Sequence, residues 1–364
     1  MQHITDAVVD ATISPEDAQA VLDDAFARFG RGEAAMQARV RTEAGGVKLS
    51  TLGAVVPGQG VVGAKVYTTI QGQFTFVILL FAADDGRALA SFDAGAITRL
   101  RTAACSVIAA RHLARADARV MALYGAGVQG RMHAVQMARA FSLGEIRVSD
   151  PYAPPTLAEE LQAACGVPVR LCAPEAAVEG ADIVVTASRS TTPLFRGEQL
   201  APGSFVAAIG SSLPHTRELD DAALRRAATI AVEWKPQTLQ EAGDLVLAAP
   251  GALDPARIVE LGELVAGLKP GRQDAQAVTL YKSVGVGLED VALAGLVWQR
   301  LQGAANRDSP KARDTAEAAL PGRWCRPLEG VARGAAGVFL FRVPSAPRCT
   351  RGAWRAARRV PRRP

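Results

Sequence analysis

The segment Arg119-Val120-Met121-Ala122-Leu123-Tyr124-Gly125-Ala126-Gly127-Val128-Gln129-Gly130 decides the fold class. Its first half is an apolar run of strand length. Its second half is Gly-x-Gly-x-x-Gly, leading directly into a stretch of helical pattern that reaches Ala140. Glycine pairs are common in turns, so the pattern alone carries little. A strand before it, a helix after it and an acidic residue at the right distance give it meaning. That residue is Asp150, which follows the next predicted strand, Glu145–Ser149, 20 residues beyond Gly130. Gly125 then permits the tight turn, Gly127 lets the backbone approach a pyrophosphate, and Gly130 lets helix and strand pack closely. The backbone from Ala126 through Val128 and Gln129 opens the helix, whose N-terminus offers free N–H groups and partial positive charge to phosphates. Asp150 is placed to accept hydrogen bonds from an adenosine ribose and to repel a 2′-phosphate. This favours NAD(H) and leaves NADP(H) open, because Arg147 or a later loop can still meet a phosphate.

Outward from this motif the chain alternates strand and helix patterns. A helix at 94–114 precedes it, and apolar runs at Ile183–Thr186, 205–209 and 229–232 follow it. This is the rhythm of a doubly wound, Rossmann-type α/β domain, expected over 116–285. The N-terminal third differs. Ser14-Pro15-Glu16-Asp17 reads as a helix start, with Ser14 as N-cap and Pro15 at the first helical position. Val- and Thr-rich runs at 47–52, 61–69 and 74–82, with a turn at Asp84-Asp85-Gly86, read as strands. A last helix is expected over 280–301.

At 364 residues, 49% apolar and 21% charged, the chain suits two globular cores. No window has the length of apolar sequence needed to span a bilayer. Residues Met1 to Asp6 lack the basic-then-apolar order of a secretion signal, and the expected location is cytoplasmic. Five scattered cysteines and four histidines form no metal-ligand spacing, so no metal is expected. The net charge of +5 is local. Segment 303–364 holds 14 Lys and Arg against 4 Asp and Glu, a net of +10, which leaves residues 1–302 at −5. That segment, rich in Arg, Ala, Gly and Pro, reads as a disordered basic tail, and no nucleic acid or membrane partner is expected.

Several separated motifs resemble the ornithine cyclodeaminase and mu-crystallin family: Gly63-Ala64-Lys65-Val66-Tyr67, Leu100-Arg101-Thr102-Ala103-Ala104, the glycine segment with Gln129, Ala181 to Ala187, Arg217-Glu218-Leu219-Asp220, and Lys282-Ser283-Val284-Gly285 with Glu289-Asp290. The resemblance covers residues 35–301. It implies a nucleotide domain plus a discontinuous α+β domain, here 1–115 with 286–302, that binds substrate and pairs subunits into a homodimer. It also puts an arginine of Gln37-Ala38-Arg39-Val40-Arg41 on a substrate carboxylate, with Arg39 favoured and Arg41 the alternative. Lys65 then matches the pocket lysine, and Arg101, with Thr102 beside it, approaches substrate and cofactor phosphate. Ser283 matches a serine beside the nicotinamide.

Within Gly210-Ser211-Ser212-Leu213-Pro214, Ser212 stands at the catalytic position where cyclodeaminase members carry an aspartate. Serine cannot serve as that carboxylate base near neutral pH. The resemblance therefore points to NAD(P)H-dependent reduction of a cyclic ketimine carboxylate, with Lys65 or water as proton donor. The alternatives are ornithine cyclisation, amino-acid dehydrogenation, and non-enzymatic binding of a small molecule. His215, beside Ser212, reads more readily as a solvated loop residue than as an acid. Glu218 and Asp220 are expected to cap a helix that begins near Asp221.

Overall fold

The computed structural model describes residues 1–307. The chain opens with β1 (Gln2–Ile4), α1 (Asp6–Thr12), α2 (Pro15–Gly30), β2 (Ala35–Met36), β3 (Val40–Ala44), β4 (Val47–Val56), β5 (Val61–Ile70), β6 (Gln73–Ala82), β7 (Ala88–Asp93) and α3 (Gly95–Leu113). These strands form a sheet in the order β1-β7-β6-β5-β4-β2, with β3 also on β4. Only β1 and β7 run parallel. At the start of α2 the Ser14 hydroxyl accepts the Asp17 N–H, and the Asp17 carboxylate accepts the Ser14 N–H. Register sorts the two faces of the sheet. Leu52, Lys65 and Ile78 stand side by side on the buried face, while Val47, Leu49, Ile70 and Val77 share the other and stay exposed.

The second sheet is built from β8 (Val120–Tyr124), α4 (Val128–Ala140), β9 (Glu145–Ser149), α5 (Leu157–Cys165), β10 (Val169–Leu171), α6 (Pro174–Val178), β11 (Ile183–Thr186), β12 (Phe205–Ala208), α7 (Asp221–Arg226), β13 (Ala227–Val232), α8 (Lys235–Glu241), α9 (Gly243–Val246), β14 (Ile258–Glu260), α10 (Leu261–Val265) and β15 (Val278–Lys282). All eight strands are parallel, in the order β10-β9-β8-β11-β12-β15-β13-β14. The winding reverses at β8, with β9 on one side and β11 on the other, as in a doubly wound sheet. Between the two sheets lies α3, which buries residues on every side and packs against α2, α4, β12 and β15.

Two expectations need correction. The helix expected from 280 starts later: residues 278–282 are β15, buried on both faces in the middle of the parallel sheet, and α11 (Gly287–Arg307) follows. A strand covered on both sides loses its alternation, so its apolar run looks like helix core. The first residues of the expected tail, 303–307, instead continue α11. The rest of that predicted tail lies outside the described residues, as do Cys325 and Cys349. Among the described residues no helix is long and apolar enough to cross a membrane, and no three His, Cys, Asp or Glu converge as a metal site.

Candidate active site

A cleft of about 770 Å³ opens at the carboxyl ends of the parallel strands, where β8 meets β11. Gly125, Gly127, Asp150, Tyr152, Ser188 and Arg189 line it. Gly125 has φ +85°, a conformation that L side chains rarely adopt. A Cβ on Gly130 would lie 1.9 Å from the Gly125 carbonyl oxygen, so helix and turn touch through that missing side chain. Gly127 is different. Nothing lies within 4 Å of where its Cβ would be, so internal packing does not require glycine there and the space belongs to the cleft. Asp150 Oδ2 accepts the Ala126 N–H at 2.7 Å and Oδ1 the Tyr152 N–H at 2.8 Å. Each oxygen retains acceptor capacity for a ribose hydroxyl. Space at Gly127, the N-terminus of α4 and an acidic acceptor together fit a dinucleotide.

A second pocket, about 230 Å³, gathers Arg39, Arg41, Lys65, Arg101 and Ser212 against an aromatic wall of Tyr67, Phe74 and Phe76. Lys65 comes from the centre of β5 and is 3% exposed. Its Nζ donates to Thr98 Oγ1 at 2.6 Å and Asp290 Oδ1 at 3.2 Å, and lies 4.5 Å from the Phe76 ring centroid. Burial lowers the Lys65 ammonium to about 8, against the pull of Asp290. Arg101, from α3, donates to Glu289 at 2.6 Å and has Asp290 3.5 Å from its Nε. Both acids sit in the first turn of α11, where the helix dipole favours negative charge. Burial nevertheless raises Glu289 to about 8, against the pull of Arg101.

The two arginines of the 37–41 segment are held differently. Arg39 Nη1 donates to Glu241 Oε2 at 2.7 Å, and Nη2 donates to the carbonyls of Val284 and Gly285 at 3.0 and 2.7 Å. With Nη2 spent on two carbonyls, no two-point edge of Arg39 remains open. Arg41 donates from Nη1 to Glu241 Oε1, and its Nε and Nη2 edge has no partner among the described residues. The Ser212 N–H donates to the Gly210 carbonyl at 3.0 Å.

A model of the ornithine cyclodeaminase/mu-crystallin family matches residues 2–305. The chain belongs to this family. A putative dehydrogenase of Rhizobium meliloti is 38% identical over 58% of this chain, which spans 65%, just under two thirds, of that protein. A Δ1-pyrroline-2-carboxylate reductase of Bacillus cereus is 34% identical over 73% of this chain and 80% of its own. Among solved structures, a probable ornithine cyclodeaminase from Bordetella pertussis Tohama I is 62% identical, with a TM-score of 0.82, covering 85% of this chain and 99% of that one. The Δ1-pyrroline-2-carboxylate reductase of Thermococcus litoralis, in complex with NADH and L-proline, is 26% identical with a TM-score of 0.79, covering 84% and 98%.

In this family member the expected substrate residues meet in the smaller pocket, and Gly125, Gly127 and Asp150 line the cleft. Val128 is exposed at the first position of α4, while Gln129 turns inward and donates to the Thr98 carbonyl at 3.3 Å. Three other expected cofactor residues are not among those lining this cleft. Arg101 lies in the smaller pocket, the Thr102 hydroxyl donates to the Thr98 carbonyl at 2.7 Å, and the Ser283 hydroxyl donates to buried Glu233 at 2.6 Å. His215 is exposed. Asp220 caps α7 as expected, accepting the Ala223 N–H. Glu218 does not cap it. Fully buried, it accepts the Ser188, Gly210 and Ser211 N–H groups and the Ser188 and Thr186 hydroxyls, pinning the loops after β11 and β12 together. Glu241, Glu233 and Thr98 went unread because no local motif marks them; their partners lie far away in sequence.

Proposed function

We propose that the chain is an NAD(P)-dependent oxidoreductase that reduces a cyclic ketimine carboxylate, Δ1-pyrroline-2-carboxylate or Δ1-piperideine-2-carboxylate, to proline or pipecolate. The observation that carries this reading is the open guanidinium edge of Arg41 beside the Lys65 ammonium in one small, aromatic-walled pocket. The reduced dinucleotide, when bound, supplies the hydride for the C=N carbon. Arg41 grips the substrate carboxylate with Nε and Nη2, a role that Arg39 is too fully engaged to share as a fork. Lys65 gives a proton from Nζ to the ring nitrogen. Tyr67, Phe74 and Phe76 keep water from the ring. Asp150 favours NAD(H) over NADP(H).

The proposed division of labour is nucleotide binding by 116–285, and substrate binding and pairing by 1–115 with 286–302. Pairing into a homodimer is supported by the sheet face opposite the pocket. There Val40, Val47, Leu49, Val55, Ile70 and Val77 lie on one side of β3 to β6 and are exposed. The name of the Bordetella pertussis relative favours ornithine cyclisation as a second reading; Ser212 speaks against it, lacking the carboxylate that such proton handling needs.

The test follows NADH and NADPH consumption with each imine, and in parallel ammonia release from ornithine with NAD⁺. Consumption with either imine is expected. Reduction of neither sinks the proposal, and ammonia release from ornithine replaces it with the second reading.

A further inference from the structure

Glu241, at the end of α8, is shared by two guanidinium groups. Its Oε2 accepts Arg39 Nη1 at 2.7 Å and its Oε1 accepts Arg41 Nη1. The Glu241 and Arg39 side chains are each 7% exposed, whereas Arg41 is 25% exposed and lies toward the pocket. Gln237, one turn back on α8, completes the arrangement: Oε1 accepts the Arg39 N–H at 3.1 Å, and Nε2 donates to Glu241 at 3.2 Å and to the Gly285 carbonyl at 2.9 Å. The other pocket cations, Lys65 and Arg101, have Asp290 and Glu289 as partners of their own.

Two cations on one carboxylate leave one positive charge over. The hydrogen bonds show where it falls. Arg39 is bound on three sides by Glu241, Val284 and Gly285 and offers no two-point edge, while Arg41 keeps such an edge open. A carboxylate that held Arg41 alone would orient it and neutralise it at once, and an incoming anion would meet an ion pair with no net charge. With Arg39 on its second oxygen, Glu241 orients Arg41 without cancelling its charge.

We propose that Arg39 is a positioning and charge-balancing residue: it saturates Glu241 so that Arg41 is aimed by that carboxylate yet remains available to the carboxylate of the substrate. This rests on the reading of the pocket as a site for an imino-acid anion.

A charge cycle tests it, with L-proline as the probe and calorimetry on protein saturated with NAD⁺. Arg39→Gln leaves Glu241 facing Arg41 alone and is expected to weaken L-proline binding on the order of tenfold or more, the scale of a charge-assisted hydrogen bond. Arg39→Gln with Glu241→Gln removes both charges, keeps an amide oxygen for Arg41 to donate to, and is expected to recover most of the lost affinity. Arg39→Lys, which preserves the charge, should bind L-proline much as wild type does. NADH affinity should change little throughout. A double variant as weak as Arg39→Gln overturns the proposal, because a purely structural Arg39 would not be rescued by removing its partner. Should Arg39→Gln fail to fold, an Arg39→Lys variant that folds and binds NADH but not L-proline overturns it equally. Wild-type protein that binds NAD⁺ but no L-proline, and reduces neither imine, overturns the imino-acid reading itself; normal wild-type binding without rescue overturns only the role of Arg39.

Discussion

Lys65 and Asp290, separated by 225 positions in sequence, meet at 3.2 Å with both side chains buried. The contact joins the middle of β5 to the first turn of α11. Asp290 holds the ammonium in place, while burial loosens its proton to about 8, close to the working range of a general acid.

The first prediction concerns that proton. As the proposed acid Lys65 must carry its proton, so imine reduction should hold below about 8 and decline as pH rises through that value. Lys65→Met should lower kcat/KM by roughly 100-fold or more, with NADH affinity nearly unchanged. Equal loss of both, or a flat profile across that range, assigns Lys65 to structure rather than chemistry.

The glycine motif separates packing from ligand demand. Gly130→Ala drives a Cβ to 1.9 Å from the Gly125 carbonyl and should destabilise the fold by about 2 kcal/mol or more. Gly127→Ala meets open space, so the melting temperature should stay near wild type while NADH binding weakens. Thermal melts with and without NADH read both. A stable Gly127→Ala protein with full NADH affinity removes that residue from the phosphate site.

Asp150 accepts the Ala126 and Tyr152 amides, and its proposed second duty is at the ribose. Asp150→Ser should raise the ratio of kcat/KM for NADPH over NADH and also cost about 1–2 kcal/mol of stability through the loosened turn. An unchanged ratio places cofactor choice elsewhere.

His133 gives a stability prediction. Its ring lies fully buried between the Ser106 hydroxyl at 2.9 Å and the Gln129 carbonyl at 2.8 Å. Burial lowers it from 6.5 to about 4, so the folded protein binds this proton less readily than the unfolded chain. The contribution is therefore complete above about 6.5 and is lost as pH falls through 4. Between about pH 7.5 and about pH 5, wild type should lose about 2 kcal/mol more than His133→Gln in urea unfolding. Equal losses would mean that the ring is already charged in the folded state.

Much of this molecule can be read from local sequence. Ser14, Pro15 and Asp17 announce α2 because a helix start is satisfied within one turn. The run from Arg119 to Gly130 announces strand, turn and helix because each residue's constraint comes from its near neighbours, and the alternation along β4 to β6 shows because one face is left uncovered. Where both faces are covered the signal fails, and β15 passes for helix.

The pocket divides in the same way. Sequence by itself determined the strand, tight turn and helix around Gly125 to Gly130, and it marked Arg39, Arg41, Lys65, Arg101 and Ser212 as the residues to watch. Only the tertiary structure decided which of their donors stay open. Arg41 rather than Arg39 has the open edge, the Ser283 and Thr102 hydroxyls are engaged by Glu233 and the Thr98 carbonyl, and Glu218 ties two loops instead of capping a helix. The physical reason is that a side chain's free donors are what remains after its distant partners have taken theirs. Glu241, about 200 positions from either arginine, leaves no trace in their local sequence.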